Sequence, residues 1–145
     1  MSVADQCLPG SLGSDLRVAT GRLQRSLRQQ RGAADLPEGQ FTTLAALHRH
    51  GPMTPGALAD HERVRPPSMT KIVNQLVEQG LVAKTGSESD KRQVLVEITD
   101  AGSREVLETR RRRDTWLTAR LETLDPAERQ LLDESCKILL KLMET

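Results

Sequence analysis

Aromatic side chains are nearly missing from this chain: Phe41 and Trp116 are the whole complement, and there is no tyrosine. That leaves no platform on which unpaired bases stack, which argues against the single-strand and RNA-reading sheets. Cysteine is equally scarce. Cys7 and Cys136 give neither a disulfide framework nor a metal-ligand spacing, so both thiols are expected to be reduced and the protein cytoplasmic. No apolar run approaches the ~18 residues that cross a bilayer. The start, "MSVADQCLPG", has neither the basic opening nor the apolar stretch of a signal peptide. Charge of one sign is not in excess either: 28% of residues are charged, yet the formal net charge is +1. A nucleic-acid partner would therefore have to be met by a local basic surface. Catalytic patterns are lacking too. There is no Ser/His/Asp set, glycine-rich phosphate loop or zinc motif, so neither an enzyme nor a cofactor is expected. His48, His50 and His61 do not make a metal site, because His48 and His50 diverge on a helix and no further ligand falls at a matching spacing.

What the chain does have is helical signal, from Leu, Val, Ala and Ile set among Glu, Arg and Gln. Its 145 residues suit one domain, 1–145. Leu16, Ala19, Leu23 and Leu27 recur at helical spacing over 14–31, and "RSLRQQR" closes that helix with positive charge. "QFTTLAALHRHG" reads as a short helix ending at Gly51, and Thr54 with Pro55 opens another. The clearest helix lies in "RVRPPSMTKIVNQLVEQGLV". Pro66 and Pro67 fit only at its start, Met69, Ile72, Val73, Leu76 and Val77 make one apolar stripe, and Gly80 stands at the left-handed cap. Ser68, Thr70, Lys71, Asn74 and Gln75 are left facing outward. Short hydrogen-bonding side chains with one cation, close to a helix N-terminus, suit base edges and phosphates.

Residues 81–86 and 93–99 then read as two strands of a hairpin, joined by a charged loop at 87–92. On the second strand Val94, Val96 and Ile98 share one face. Thr99 caps a long helix to about residue 122 that is polar in its middle, as in a helix spanning between packed units. In it, Arg110 to Arg113 are expected to be solvated and partly ion-paired with Glu105 and Glu108. Asp125, Pro126 and Glu128 start the last helix with a capping box, and Leu131, Leu132, Ile138, Leu139, Leu142 and Met143 give it an apolar face.

Residues 54–79 thus have the spacing of a helix-turn-helix, whose second helix enters a major groove, with a charged hairpin directly behind it. The stretch "LADHERVRPPSMTKIVNQLVEQGLVAKTGSESDKRQVLVEITDAG" resembles the MarR family of winged helix-turn-helix transcriptional regulators. "GLV" precedes the wing, "DKR" stands at its return and "VEITDAG" opens the linker helix. The resemblance implies a mainly α fold with a small β-hairpin wing. Residues 37–99 would form the winged helix-turn-helix, and 14–31 with 100–145 the dimerisation helices. It further implies a homodimer on a palindromic operator in double-stranded DNA, acting as a repressor. Asp90 would brace the wing by a charge-assisted bond while Arg92 enters the minor groove, with Lys91 beside it. One departure is plain: where the family commonly has Ser or Thr capping the recognition helix, this chain has Arg65, a loss worth ~1 kcal/mol. Arg65 is read here as reaching a phosphate instead. Relatives take small aromatic or anionic effectors between the dimerisation helices and the winged region, and Arg17, His48 and Arg49 stand in position to line such a pocket. Two other readings use the same fold: a redox switch through Cys7, with or without Cys136, and a winged-helix module that contacts protein instead of DNA.

Overall fold

The computed structural model describes residues 8–86 and 93–144. Six helices and one hairpin follow in chain order: α1 Pro9–Arg28, α2 Glu38–His50, α3 Pro55–Glu62, α4 Pro66–Glu78, β1 Val82–Gly86, β2 Val94–Ile98, α5 Asp100–Leu121 and α6 Pro126–Met143. Among the described residues no helix is long and apolar enough to cross a membrane. The mainly α fold with a β-hairpin wing is therefore as the sequence indicates.

Helix starts follow the local chemistry. Thr54 accepts from the Ala57 N–H at the head of α3, Thr99 accepts from Gly102 at the head of α5, and Asp125 with Glu128 closes a full capping box on α6. Helix α4 begins at Arg65 and two prolines with no side-chain cap, so two N–H groups that would need one are simply missing. Its far end is closed by Gly80, whose φ of 73° is the left-handed conformation that glycine adopts without a Cβ penalty. Helix α1 departs from expectation: it runs from Pro9 to Arg28 rather than over 14–31. Pro9 at the first turn presets φ for helix, and this outweighs the poor propensity of Gly10, Ser11 and Gly13.

The core lies under α2 to α5 and the hairpin. Leu44, Leu47, Leu58, Met69, Val73, Leu76, Val96 and Val106 are wholly buried there, each such side chain contributing roughly 1.5–3 kcal/mol. The strands pair antiparallel with Val82 opposite Ile98 and Lys84 opposite Val96. Met53 adds a bridge on the other edge, exchanging two backbone bonds with Val96 of 3.1 and 2.8 Å. Val96 is thus held from both sides. Val94, by contrast, is 40% exposed, and Val77 at the rim of the α4 stripe is 38% exposed, so neither anchors the hairpin or helix as its periodicity suggests. Both sit where the hairpin and α4 run past the edge of the core.

Polar contacts fix α4 in rotation. Gln40, nearly buried on α2, donates to Gln75 Oε1 at 2.9 Å and accepts from Gln79 Nε2 at 3.1 Å. The junction between α4 and α5 is equally specific. Thr99 donates its hydroxyl to the Gly80 carbonyl at 2.7 Å and its N–H to Leu81 at 3.0 Å while capping α5. Gly102 lies directly against this junction, where a Cβ would overlap the Leu81 carbonyl oxygen and press on Ile98 and Leu44.

Two outcomes follow for stability. Gly102→Ala should lower it by about 3 kcal/mol, because the clashing atom is backbone and cannot swing aside; urea unfolding by circular dichroism reads this directly. Gln40→Leu should lose about 1–3 kcal/mol by stripping two amides of their partner, whereas the same measurement on exposed Gln130→Leu should show almost no change.

Candidate nucleic-acid interface

Helix α4 buries Met69, Val73 and Leu76, and that fixes which residues turn outward. Arg65, Ser68, Thr70, Lys71 and Asn74 are all exposed on the opposite side, close to its N-terminus. Thr70 donates its hydroxyl back to the Pro66 carbonyl at 3.0 Å, which leaves the oxygen lone pairs outward as acceptors. Arg65, free of any capping bond, extends the cationic margin at the start of the helix, where Pro66 and Pro67 have no N–H to offer an anion. Gln75 does not belong to this face. It is half-buried and engaged by Gln40, so the expectation that it faces outward is corrected. The reason is angular: Gln75 precedes the buried Leu76 and lies on the flank that meets α2, near the exposed stripe but not on it.

The hairpin stands beside this face. Lys84, on β1, reaches across to Asn74 and donates to its Oδ1 at 2.7 Å. Its strand position gives it this reach, since the pairing with Val96 holds the backbone while the four-carbon stem extends over α4. The sequence places Lys84 on the first strand of the hairpin but does not single it out as a site residue, since its contact with Asn74 is tertiary. Asp90, Lys91 and Arg92 lie outside the described residues, as does Cys7. The strands that carry the 87–92 segment end at Gly86 and resume at Val94.

A second polar centre lies at the first turn of α2, where α1, α2 and α5 meet. Glu38 at the head of α2 sits 3.7 Å from Arg28 and 3.4 Å from Arg113, and the Arg113 guanidinium lies 4.5 Å over the Phe41 ring. Such a planar cation serves a carboxylate and an aromatic face together. Glu108 receives Arg111 and Arg112 at 2.8 and 2.9 Å. Hydrogen bonds first from Arg111 and then from Arg112 lower its carboxyl from 4.5 to about 2. Because the folded value is depressed, this cluster holds through neutral and mildly acid pH and is lost only as pH falls through about 2. Arg111 and Arg112 are thus exposed and paired with Glu108 as expected, whereas Arg113 is half-buried against Glu38 and Phe41 and Glu105 plays no part in the pairing. Glu105 is buried and accepts from the Ala34 N–H at 3.2 Å, tying the α1–α2 connection to α5.

The residues expected to line an effector pocket are not gathered by a described cavity. Arg17 is exposed on α1, while His48 is half-buried and Arg49 exposed in the last turn of α2. An open cavity of about 410 Å³ instead lies between the end of α1 and α5, lined by Gln30, Arg31, Arg111, Arg112, Thr115 and Trp116. His50 and His61 contact edge to face, 5.1 Å between rings, joining α2 to α3. Cys136 is free and exposed on α6, beside Leu23, Leu121 and Leu132 in a groove of about 400 Å³.

Comparison with known proteins agrees with this geometry. A model of the MarR family matches residues 36–94. The chain is 41% identical over 133 residues to an HTH-type transcriptional regulator of Mycobacterium tuberculosis, covering 92% of this chain and 93% of that one. The fold is similar to that of a MarR family protein from Bacillus stearothermophilus, with a TM-score of 0.76, 23% identity and coverage of 94% and 95%. It is also similar to a variant of S. aureus MepR bound to an oligodeoxyribonucleotide, with a TM-score of 0.70, 16% identity and coverage of 91% and 97%. With the exposed polar face of α4 set beside a β-hairpin, and relatives alike over nearly its whole length, this chain belongs to the MarR family of DNA-binding transcriptional regulators and is not an enzyme.

Proposed function

We propose that the chain works as a homodimeric repressor on a palindromic operator in duplex DNA, with binding relieved by a small aromatic or anionic effector. The observation that carries the DNA reading is the outward face of α4, where Ser68, Thr70, Lys71 and Asn74 stand clear of the core beside Lys84. Ser68, Thr70 and Asn74 are suited to base edges, Arg65 and Lys71 to phosphates, and Arg92 with Lys91 to the adjacent minor groove, Asp90 bracing the arginine.

The dimer reading rests on helices that have nothing to bury in one copy. Neither α1 nor α6 contains a buried residue, yet α6 exposes Leu131, Ile138, Leu140, Leu142 and Met143, and α1 exposes Leu12, Val18 and Leu23. An apolar surface of this extent marks an interface, and a two-fold partner covers both helices at once. Two copies related this way place their α4 helices in major grooves about one helical turn (~34 Å) apart. A dimer seated across a promoter excludes polymerase from the same duplex, which favours repression. A small effector, for which Arg17, His48 and Arg49 are the proposed contacts, would act by shifting the population between two separations of the α4 pair.

Two measurements test this. In fluorescence anisotropy titrations on a selected operator, Arg92→Ala should weaken binding by about 1–3 kcal/mol and reduce the salt slope by about 1. Undiminished affinity would sink the wing contact. By sedimentation velocity the native chain should run as a dimer, and Ile138→Asp as a monomer that keeps its helical content; a native monomer at micromolar concentration would rule out the two-fold arrangement.

A further inference from the structure

The bond from Lys84 to Asn74 bears on which base the protein prefers, and its consequence rests on the reading of α4 as the helix that enters the groove. An ammonium only donates, so the end of the Asn74 amide that faces Lys84 at 2.7 Å is its carbonyl oxygen. The amide orientation is therefore set by chemistry, without the ambiguity that usually attends asparagine. The bond is charge-assisted and short. Its two ends are held by ordered backbone, Asn74 within α4 and Lys84 opposite Val96 in the hairpin, while Leu81 N–H to Leu76 O at 3.0 Å keeps the two elements in register.

We propose that Lys84 is a specificity-determining residue: by engaging the Asn74 carbonyl oxygen it turns the amide nitrogen to the groove, and so favours guanine over adenine. An unconstrained asparagine reads adenine with both ends of its amide, accepting from N6–H and donating to N7. Here one of the two lone pairs at the accepting end is taken by Lys84, and a positive charge stands beside the other. An adenine N6–H brought to that place meets a competing donor. The guanine edge offers only acceptors, O6 and N7, which suit the exposed Asn74 NH₂ and the neighbouring cation alike. Lys84 thus acts on base choice through Asn74, as a positioning residue. A bare phosphate contact by Lys84 would strengthen binding to every sequence equally and leave base choice unmoved.

The test is operator selection from a randomised duplex library with the full-length protein, followed by competition titrations on single-base variants. Asn74→Ala identifies the position read by Asn74, since preference there should flatten. At that position the native protein should favour guanine over adenine on the order of tenfold. Lys84→Met should move the preference to adenine, while Lys84→Arg, which donates from the same strand, should keep guanine. An adenine preference in the native protein, or a guanine preference that survives in Lys84→Met, overturns the proposal, as does an Asn74→Ala variant with an unaltered site. A native protein that selects no sequence at all overturns instead the placement of α4 in the groove, on which the proposal stands. Lys84 is exposed on its strand, so the Met and Arg variants should fold as the native chain does; unchanged circular dichroism checks it.

Discussion

Four residues, Gly80, Leu81, Thr99 and Gly102, tie the winged region to the long helix that leaves it. Thr99 closes the end of α4 through the Gly80 carbonyl, pairs with Leu81 and caps α5, while the bare Cα of Gly102 lets α5 come down onto the Leu81 carbonyl. The end of α4, the root of the hairpin and the beginning of α5 therefore share one set of atoms. Tilting any of the three breaks hydrogen bonds in the other two. This is why α4 and the hairpin form one rigid head, and why the direction of α5 is fixed relative to it.

The other end of the head is held by the first turn of α2. Within four residues Glu38 engages Arg28 and Arg113, Gln40 engages Gln75 and Gln79, and Phe41 lies under Arg113. Helix α4 is thus grasped along its flank by Gln40, while Glu38 and Phe41 of the same turn meet Arg28 of α1 and Arg113 of α5. The half-exposed ion pairs contribute little stability by themselves. Their value is geometric, since they give α1 and α5 a contact on the same turn that sets the rotation of α4.

Much of this was legible from local chemistry. The caps at Thr54, Thr99 and Asp125, the prolines opening α4 and the glycine closing it act over three or four residues, and the chain order of such signals was enough to outline the winged helix-turn-helix. The outward face of α4 followed from the apolar stripe behind it, except at its edges. Gln75 was misplaced because a residue on the flank of a helix is assigned by its neighbour, and the neighbour here is Gln40, thirty-five positions away. Spacing alone suggests Glu105 as a surface ion-pair partner, whereas its carboxylate accepts a backbone N–H from the α1–α2 connection. Lys84 lay hidden for the same reason: no local pattern shows that a strand lysine will reach a helix asparagine ten residues earlier.

The scarcity of aromatic residues has one more consequence. The only indole, Trp116, is half-buried on α5 beneath the Arg120 guanidinium at 3.7 Å, beyond the last buried residue of that helix. With no tyrosine in the chain, the intrinsic emission of this protein comes from a single place on α5, away from the head. A nearby guanidinium and the packing around the ring both tune such emission. The molecule therefore carries a built-in optical gauge of α5: Trp116 stands in the wall of the open cavity beside α1, so its emission responds to anything that enters there or moves that helix.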